Sequence, residues 1–257
     1  MEVILSVPDP ESGLPVGPVV PDATTGRPAR VSLDGRLVRL RPLDADRDLH
    51  ALWQETHGPE QARRWQYLFE SPFPDEAAFL EHLRRKAASE DPLFFTIVDR
   101  VSERALGYAT LMRIAPDHRC VEVGNIVYGA RLQRTAGATE AQYLLMRYVF
   151  DDLGYRRYEW KCNALNAPSR RAAVRLGFTF EGVFRQHMIV RGRNRDTAWY
   201  AIVDSEWEPI KAAFEQWLAP GNFDAQARQM HTLEALRARL SAPPVAADVP
   251  GTGPLAP

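Results

Sequence analysis

The chain has 257 residues, 45% of them hydrophobic and 25% charged, the profile of an ordinary globular protein with one sizeable core or two small ones. Lys and Arg total 32 against 33 Asp and Glu, and a net charge of −1 disfavours a dedicated nucleic-acid binder, which carries a basic excess. No apolar run is long enough to span a bilayer and no secretion signal opens the chain, so no membrane partner is expected and a cytoplasmic location is.

Residues 1 to about 30 hold six prolines and little periodic apolar character, which predicts an extended or disordered arm, packed on the domain or on a partner if it packs at all. Order is expected from Arg36, with a first strand over Leu37–Arg41 and a helix capped by Asp44 through Leu49, Leu52 and Trp53. Pro59 to Glu70 is aromatic and basic, and Asp75 to Ala88 reads as a helix with Phe79, Leu83 and Ala87 on one face. Three antiparallel strands follow, Leu93–Asp99, Ala105–Ile114 and Arg119–Tyr128, joined by turn residues. A helix over about Ala136–Leu153, a strand over Tyr158–Cys162 and a short helix from Pro168 to Leu176 ended by Gly177 come next. Phe178 to Phe184 alternates as a strand, and Met188–Val190 pairs with Asp196–Val203 across the turn at Arg191–Asn194. Helices are expected over Glu206–Leu218 and Asp224–Leu240, and a disordered Ala- and Pro-rich tail over 241–257. The order predicts an α/β fold, a mixed sheet with helices on both faces.

Gln133 to Ala141 draws the eye. It lies between an apolar strand (Val121, Val123, Ile126, Val127, Tyr128) and a helix-periodic segment (Ala141, Leu144, Leu145, Tyr148, Val149). Small residues between strand and helix leave the first helical N–H groups unpaired and aimed at one spot, which the helix dipole makes favourable for anions. Arg134 adds positive charge at the rim. The reading is a phosphate or pyrophosphate cradle, set against an ordinary αβ connection. A P-loop lacks its lysine here, and a dinucleotide fingerprint lacks its glycines. Cys120 and Cys162 have no metal-ligand spacing and read as strand thiols in a reducing compartment; no metal is expected.

Gln133–Ala141, Leu153–Arg157, Asn166–Ser169 and Arg175–Gly182 together resemble the Gcn5-related N-acetyltransferases, in particular the branch that includes the RimJ and RimL ribosomal-protein acetyltransferases. The resemblance covers about Arg36 to Trp207 and implies a mostly antiparallel central sheet and acetyl-coenzyme A as co-substrate. The domain is then 36–218, with the helix of 219–240 outside it. The family's Gln/Arg-x-x-Gly-x-Gly/Ala maps onto Gln133, Arg134, Thr135, Ala136, Gly137 and Ala138, with Thr139 next; their N–H groups would hold the pyrophosphate. Ala136 stands where the family usually has Gly, a cost if that position needs a positive φ or a phosphate pressed against the Cα.

Acyl transfer requires an amine to lose a proton, attack a thioester through a tetrahedral intermediate and release a thiolate; proximity and a donor to the carbonyl oxygen supply most of the acceleration. By resemblance the donor is a backbone N–H of Ile126 or Val127, which would also pair with the pantetheine arm. Glu122 is the candidate general base, expected by strand alternation to share a face with Gly124 and Ile126; its bland alternative is a solvated or ion-paired carboxylate. Asn166 would bond the pantetheine amides, or simply cap the helix begun by Pro168. Ser169 would sit beside the thiolate as donor or acid. Arg170 and Arg171 read as solvated helix-start charges or phosphate contacts. Arg191, Arg193 and Arg195 read as a solvated turn, with Arg195 and Asp196 an ion pair. His57, Trp65, Tyr67 and Phe69 are placed in the core or at an acceptor pocket; His187 and Tyr200 carry no distinguishing spacing. The acceptor is a primary amine, of a protein N-terminus or a small molecule, and pairing with a second copy is left open. The rival reading is a non-catalytic acyl-coenzyme A sensor or assembly module.

Overall fold

β-branched and aromatic runs build the strands, and capped apolar stripes build the helices that cover them. A computed structural model describes residues 5–21 and 25–241 of the chain. β1 (Val7–Pro8) and β2 (Pro15–Val16) form a small hairpin, and β3 (Leu33–Asp34) and β4 (Val38–Pro42) open the main sheet. Helices α1 (Ala45–Thr56), α2 (Gln61–Trp65) and α3 (Glu76–Ala88) precede the meander β5 (Leu93–Asp99), β6 (Ala105–Ala115) and β7 (Cys120–Tyr128). Then come α4 (Ala136–Arg147), β8 (Arg157–Asn163), α5 (Ala167–Leu176), β9 (Thr179–Val190), β10 (Arg193–Val203), α6 (Asp204–Leu218) and α7 (Leu233–Ser241).

The main sheet runs β3-β4-β5-β6-β7-β8-β10-β9, and only β7 and β8 are parallel. This is the mixed, mostly antiparallel sheet expected, with a core on each face. One core packs Val121, Val123, Trp160 and Tyr200 against α4, α5 and α6; the other packs Tyr108 and Val127 against Leu52, Phe79 and Leu83 of α1 and α3. Asp44 and Asp75 cap α1 and α3, each accepting an N–H three residues on. Buried Asp48 fixes α1 to the sheet: it takes both guanidinium nitrogens of Arg41, at 2.9 and 2.6 Å, and the Thr96 hydroxyl at 2.6 Å.

Several expectations need adjusting. The proline-rich arm holds the β1–β2 hairpin, closed by Asp9 accepting from Ser12 N at 2.8 Å, and its later part packs on the domain. Ala29 N–H donates to the Tyr148 hydroxyl at 2.9 Å, and the Tyr155 hydroxyl donates to Gly26 O at 3.1 Å. The long helix after the cradle is α-helical only to Arg147 and continues as a π-turn over Tyr148–Asp152. β9 is one strand where two segments were read. Asp224 does not start a helix: its carboxylate accepts the N–H groups of Gln226 and Arg228 in a turn, and α7 begins at Leu233. Residues 1–4, 22–24 and 242–257, with most of the expected disordered tail, lie outside the described residues.

Candidate active site

β7 and β8 pair only from Cys120–Val123 against Arg157–Trp160, although β7 runs on to Tyr128 and β8 to Asn163. Beyond Val123 the two parallel strands part, so one edge of each carries backbone groups without a strand partner. A bulge shapes this opening. Tyr108 faces Val127 and Thr110 faces Gly124, so Asn125 and Ile126 together oppose Ala109, and Asn125 takes φ 46°.

The bulge overturns the simple alternation. Val121, Val123, Ile126 and Tyr128 pack on the α4 side, while Val127 packs on the α1–α3 side. Glu122 therefore shares its face with Gly124 and Val127, not with Ile126. Gly129 N–H donates to Leu106 O at 2.8 Å, which by antiparallel alternation commits the Val127 N–H to β6 as well. The N–H groups of Ile126 and Tyr128 face the opening. Of the two oxyanion donors expected, Ile126 has its amide toward the opening and Val127 has its amide toward β6.

The cradle forms at the start of α4. Thr135 is the N-cap and its hydroxyl accepts from Ala138 N at 3.2 Å, leaving the N–H groups of Ala136 and Gly137 without an acceptor among the described residues. Ala136 is helical, with no positive φ; the left-handed residue is Arg134, at φ 62°. The cost that a positive φ would have put on Ala136 thus disappears. Gly137 sits where α4 packs closely on β4: a Cβ there would lie 3.0 Å from Val38 Cγ1 and press on it. Gln133, Arg134 and Thr135 are exposed, and Gln133 donates to Tyr128 O at 2.8 Å. Thr139 is buried and accepts from Arg175 of α5 at 3.1 Å, so its side chain braces the helix and does not join the exposed cradle.

Two carboxylates set the cradle in place, and neither stood out in the sequence. Glu140 accepts three backbone N–H groups, of Arg36, Leu37 and Val38, at 2.6 to 2.9 Å. Glu55, at the end of α1, holds Arg131 through the guanidinium Nε and the backbone N–H.

Glu122 is 5% exposed and ion-paired, so it is no solvated strand carboxylate. Its Oε2 receives Arg113 Nη1 at 3.0 Å and Lys161 Nζ at 2.9 Å, while Oε1 makes no hydrogen bond among the described residues. Burial raises the Glu122 pKa above the usual carboxylate range, and Lys161 and Arg113 pull against it. Lys161 also meets Glu159 at 2.6 Å and lies 3.8 Å above the Trp199 ring. Burial opposes ionisation of Glu159, but Lys161 and Arg157 outweigh it and hold that carboxyl low. The Glu-Trp-Lys alternation over 159–161 was the available signal: on one strand it puts both charges on the face opposite Trp160.

Asn166 caps α5, accepting from Ser169 N at 3.2 Å, which is the structural role expected of it. Ser169 Oγ accepts from the Trp160 indole at 3.0 Å and lies beside the Cys162 thiol, whose pKa burial raises and Ser169 lowers. Arg170 is spent on the Tyr200 hydroxyl at 3.1 Å. The basic hairpin tip is exposed over residues 191–194, as expected of a solvated turn, but Arg195 just below it is not. Arg191 reaches across to Ser71 and Gln66 O, and Arg195 is 8% exposed beneath Phe69. Arg195 and Asp196 do not pair; Asp196 Oδ1 accepts from Gln186 N and Asn194.

Trp65 and His57 lie in the core, while Tyr67 and Phe69 are exposed on the segment facing that hairpin. The Thr56 hydroxyl donates to Leu52 O, so His57 Nδ1–H donates to Thr56 at 3.0 Å while Nε2 accepts from Phe73 N at 3.2 Å. That network needs a neutral ring. Burial first, then the Arg64 charge, lowers the His57 pKa from 6.5 to about 4; burial and Lys86 do the same to His82. Because the unfolded chain binds these protons more readily, stability is full above pH 6.5 and is lost as pH falls toward 4, by at most about 3 kcal/mol per imidazole. Urea midpoints measured from pH 7.5 to 4 should fall across that window, and a flat profile would contradict it.

A strand pair opened by a bulge, with unpaired amides at a helix start beside it, offers backbone donors to an extended anionic ligand. The family model described as Acetyltransferase (GNAT) domain matches residues 37–179. A GCN5-related N-acetyltransferase from Brucella melitensis is 48% identical, with a TM-score of 0.81 over 83% of this chain and 98% of that one. A probable acetyltransferase (GNAT family) from Chromobacterium violaceum is 37% identical, with a TM-score of 0.70 over 76% of this chain and 99% of that one. The uncharacterized N-acetyltransferase YnaD of Bacillus subtilis is 25% identical over 55% of this chain and 81% of that protein. The chain belongs to the GNAT family of acetyltransferases.

Proposed function

We propose that the protein transfers an acetyl group from acetyl-coenzyme A to a primary amine by direct attack, in the manner of the RimJ- and RimL-like branch its motifs resemble. The observation that carries this reading is the opening between β7 and β8 with the unpaired Ala136 and Gly137 amides at its mouth. Those amides, with Arg134, would receive the pyrophosphate. The freed edge of β7 would pair with the pantetheine amides, and Asn166, whose carbonyl is taken by the cap, has its amide nitrogen left to join them. The Ile126 N–H would stabilise the oxyanion.

The amine gives its proton to Glu122 Oε1, directly or through a water. Its nitrogen bonds the acetyl carbon, the C–S bond breaks, and the sulfur departs as thiolate toward the Ser169 hydroxyl. Two cations on Oε2 fix the carboxylate, and burial makes it a stronger base than one in water. No helix among the described residues is long and apolar enough to cross a membrane. The two free cysteines accord with a cytoplasmic enzyme. The non-catalytic sensor loses one motive, because Ala136 carries no backbone strain.

Calorimetric titration with acetyl-coenzyme A, desulfo-coenzyme A serving as control, should give binding in the micromolar range, about −8 kcal/mol. Thiol release on an amine panel then tests turnover. Absence of coenzyme binding would sink both the transferase and the sensor.

A further inference from the structure

We propose that the amine acceptor carries a carboxylate, and that Arg195 on β10 receives it. The inference rests on the acyl-transfer reading for the identity of the site, but its core observation is independent. Arg195 is a buried guanidinium with no carboxylate partner among the described residues, and its Nε makes no hydrogen bond. The nearby acids are spoken for. Glu122 is held by Arg113 and Lys161, and Glu159 by Arg157 and Lys161. Asp196, next in sequence, is engaged with Gln186 and Asn194.

Further unpartnered polar atoms sit on the same part of the sheet. Thr197 Oγ1, Trp199 Nε1 and His187 Nδ1 are buried without hydrogen bonds. Thr197 and Trp199 alternate with Arg195 on the face that carries Lys161, since Lys161 and Trp199 are cross-strand partners and touch. Opposite Arg195 and Thr197, β9 bulges at Gln186, φ 52°, and leaves an open cavity lined by Phe184, Arg185, Gln186 and His187. The Phe69 ring centroid lies 4.7 Å from the guanidinium carbon.

A buried charge and several buried donors without acceptors are unfavourable in a fold that gains nothing from them. Arg195 and the Trp199 indole can only donate and the Thr197 hydroxyl is able to, so together they call for an anion. A planar guanidinium with a hydroxyl and an indole N–H beside it suits a carboxylate, which accepts a fork of two N–H bonds and further donors on its remaining lone pairs. The same face carries Glu122 Oε1, the acceptor for the amine proton. The acceptor is thus an amine with a carboxylate on the same molecule, either a free amino acid or a peptide with an acidic residue near its N-terminus.

The test is equilibrium binding of matched pairs to the protein with and without saturating desulfo-coenzyme A. The pairs are free α-amino acids against their α-amides, and dipeptides with Asp or Glu in second place against Asn or Gln. The wild type should prefer the carboxylate member of one series by ten-fold or more, and which series responds identifies the source. Arg195→Gln should abolish the preference and leave coenzyme binding unchanged, whereas Arg195→Lys should keep part of it. Thr197→Val should weaken the preferred ligand a few-fold and serves as a milder probe if Arg195→Gln does not fold. Equal binding of both members, no binding by any, or a preference that survives Arg195→Gln overturns the inference. Transfer to the amides but not to the carboxylates also overturns it while upholding the transferase. Carboxylates bound through Arg195 but never acetylated would uphold the anion site and count against the transferase.

Discussion

Glu122→Gln is expected to lower kcat by about 10²–10⁴-fold while leaving the acetyl-coenzyme A Kd nearly unchanged. The substitution keeps an oxygen for Arg113 and Lys161 to bond and removes only the basicity of the group, so the fold should survive it. Lys161 also retains Glu159 as its counter-charge. In the wild type, kcat/KM should fall on the acid side as Glu122 takes up its proton, at a pH above the ordinary carboxylate range because burial raises its pKa. Arg113 stabilises the ionised form, so Arg113→Met should raise that pKa further and move the acid limb to higher pH. A pH–rate profile of the three proteins with one amine decides this. A rate for Glu122→Gln equal to wild type throughout would remove Glu122 from the chemistry.

Ala136→Pro should weaken acetyl-coenzyme A binding by about 10–100-fold while leaving thermal stability nearly unchanged. Ala136 is the first residue of α4, where proline is well tolerated because its missing N–H has no intrahelical partner to lose. Thr135 before it is extended, φ −104° and ψ 165°, the conformation that proline requires of its predecessor. The substitution therefore deletes one cradle donor and little else. Ala136→Gly, which restores the usual family residue, should not tighten binding, since the position is helical. Calorimetry on the two variants separates the amide's contribution from a general loosening of α4. Unchanged affinity in Ala136→Pro would mean that the pyrophosphate is held elsewhere.

What was legible in the sequence was whatever rests on local chemistry. Period-2 and period-3.6 patterns marked the strands and helices of the domain, Asp44 and Asp75 announced their helices, and Gly177 ended α5 at φ 105°. The free amides at the start of α4 were legible too, because every helix start leaves its first N–H groups without intrahelical acceptors. Asp224 misled because the same short carboxylate that caps a helix also closes a turn, as it does here by accepting the N–H groups of Gln226 and Arg228.

The long-range facts belong to the tertiary structure alone. A bulge at Asn125 reverses which face Ile126 and Val127 occupy, and a single extra residue in a strand has no signature when alternation is read from one chain. That Glu140 gathers three amides from a turn 102 to 104 residues away could not be read from its place in a helix. Arg195 looked like one of three solvated charges at a hairpin tip and the partner of Asp196. Its burial is decided by the α2–α3 segment folding over it, with Phe69 against its guanidinium, and by strand alternation turning Asp196 to the opposite face. Periodicity and capping are properties of neighbours in sequence; the partners of a charge are chosen by whichever elements the sheet brings together.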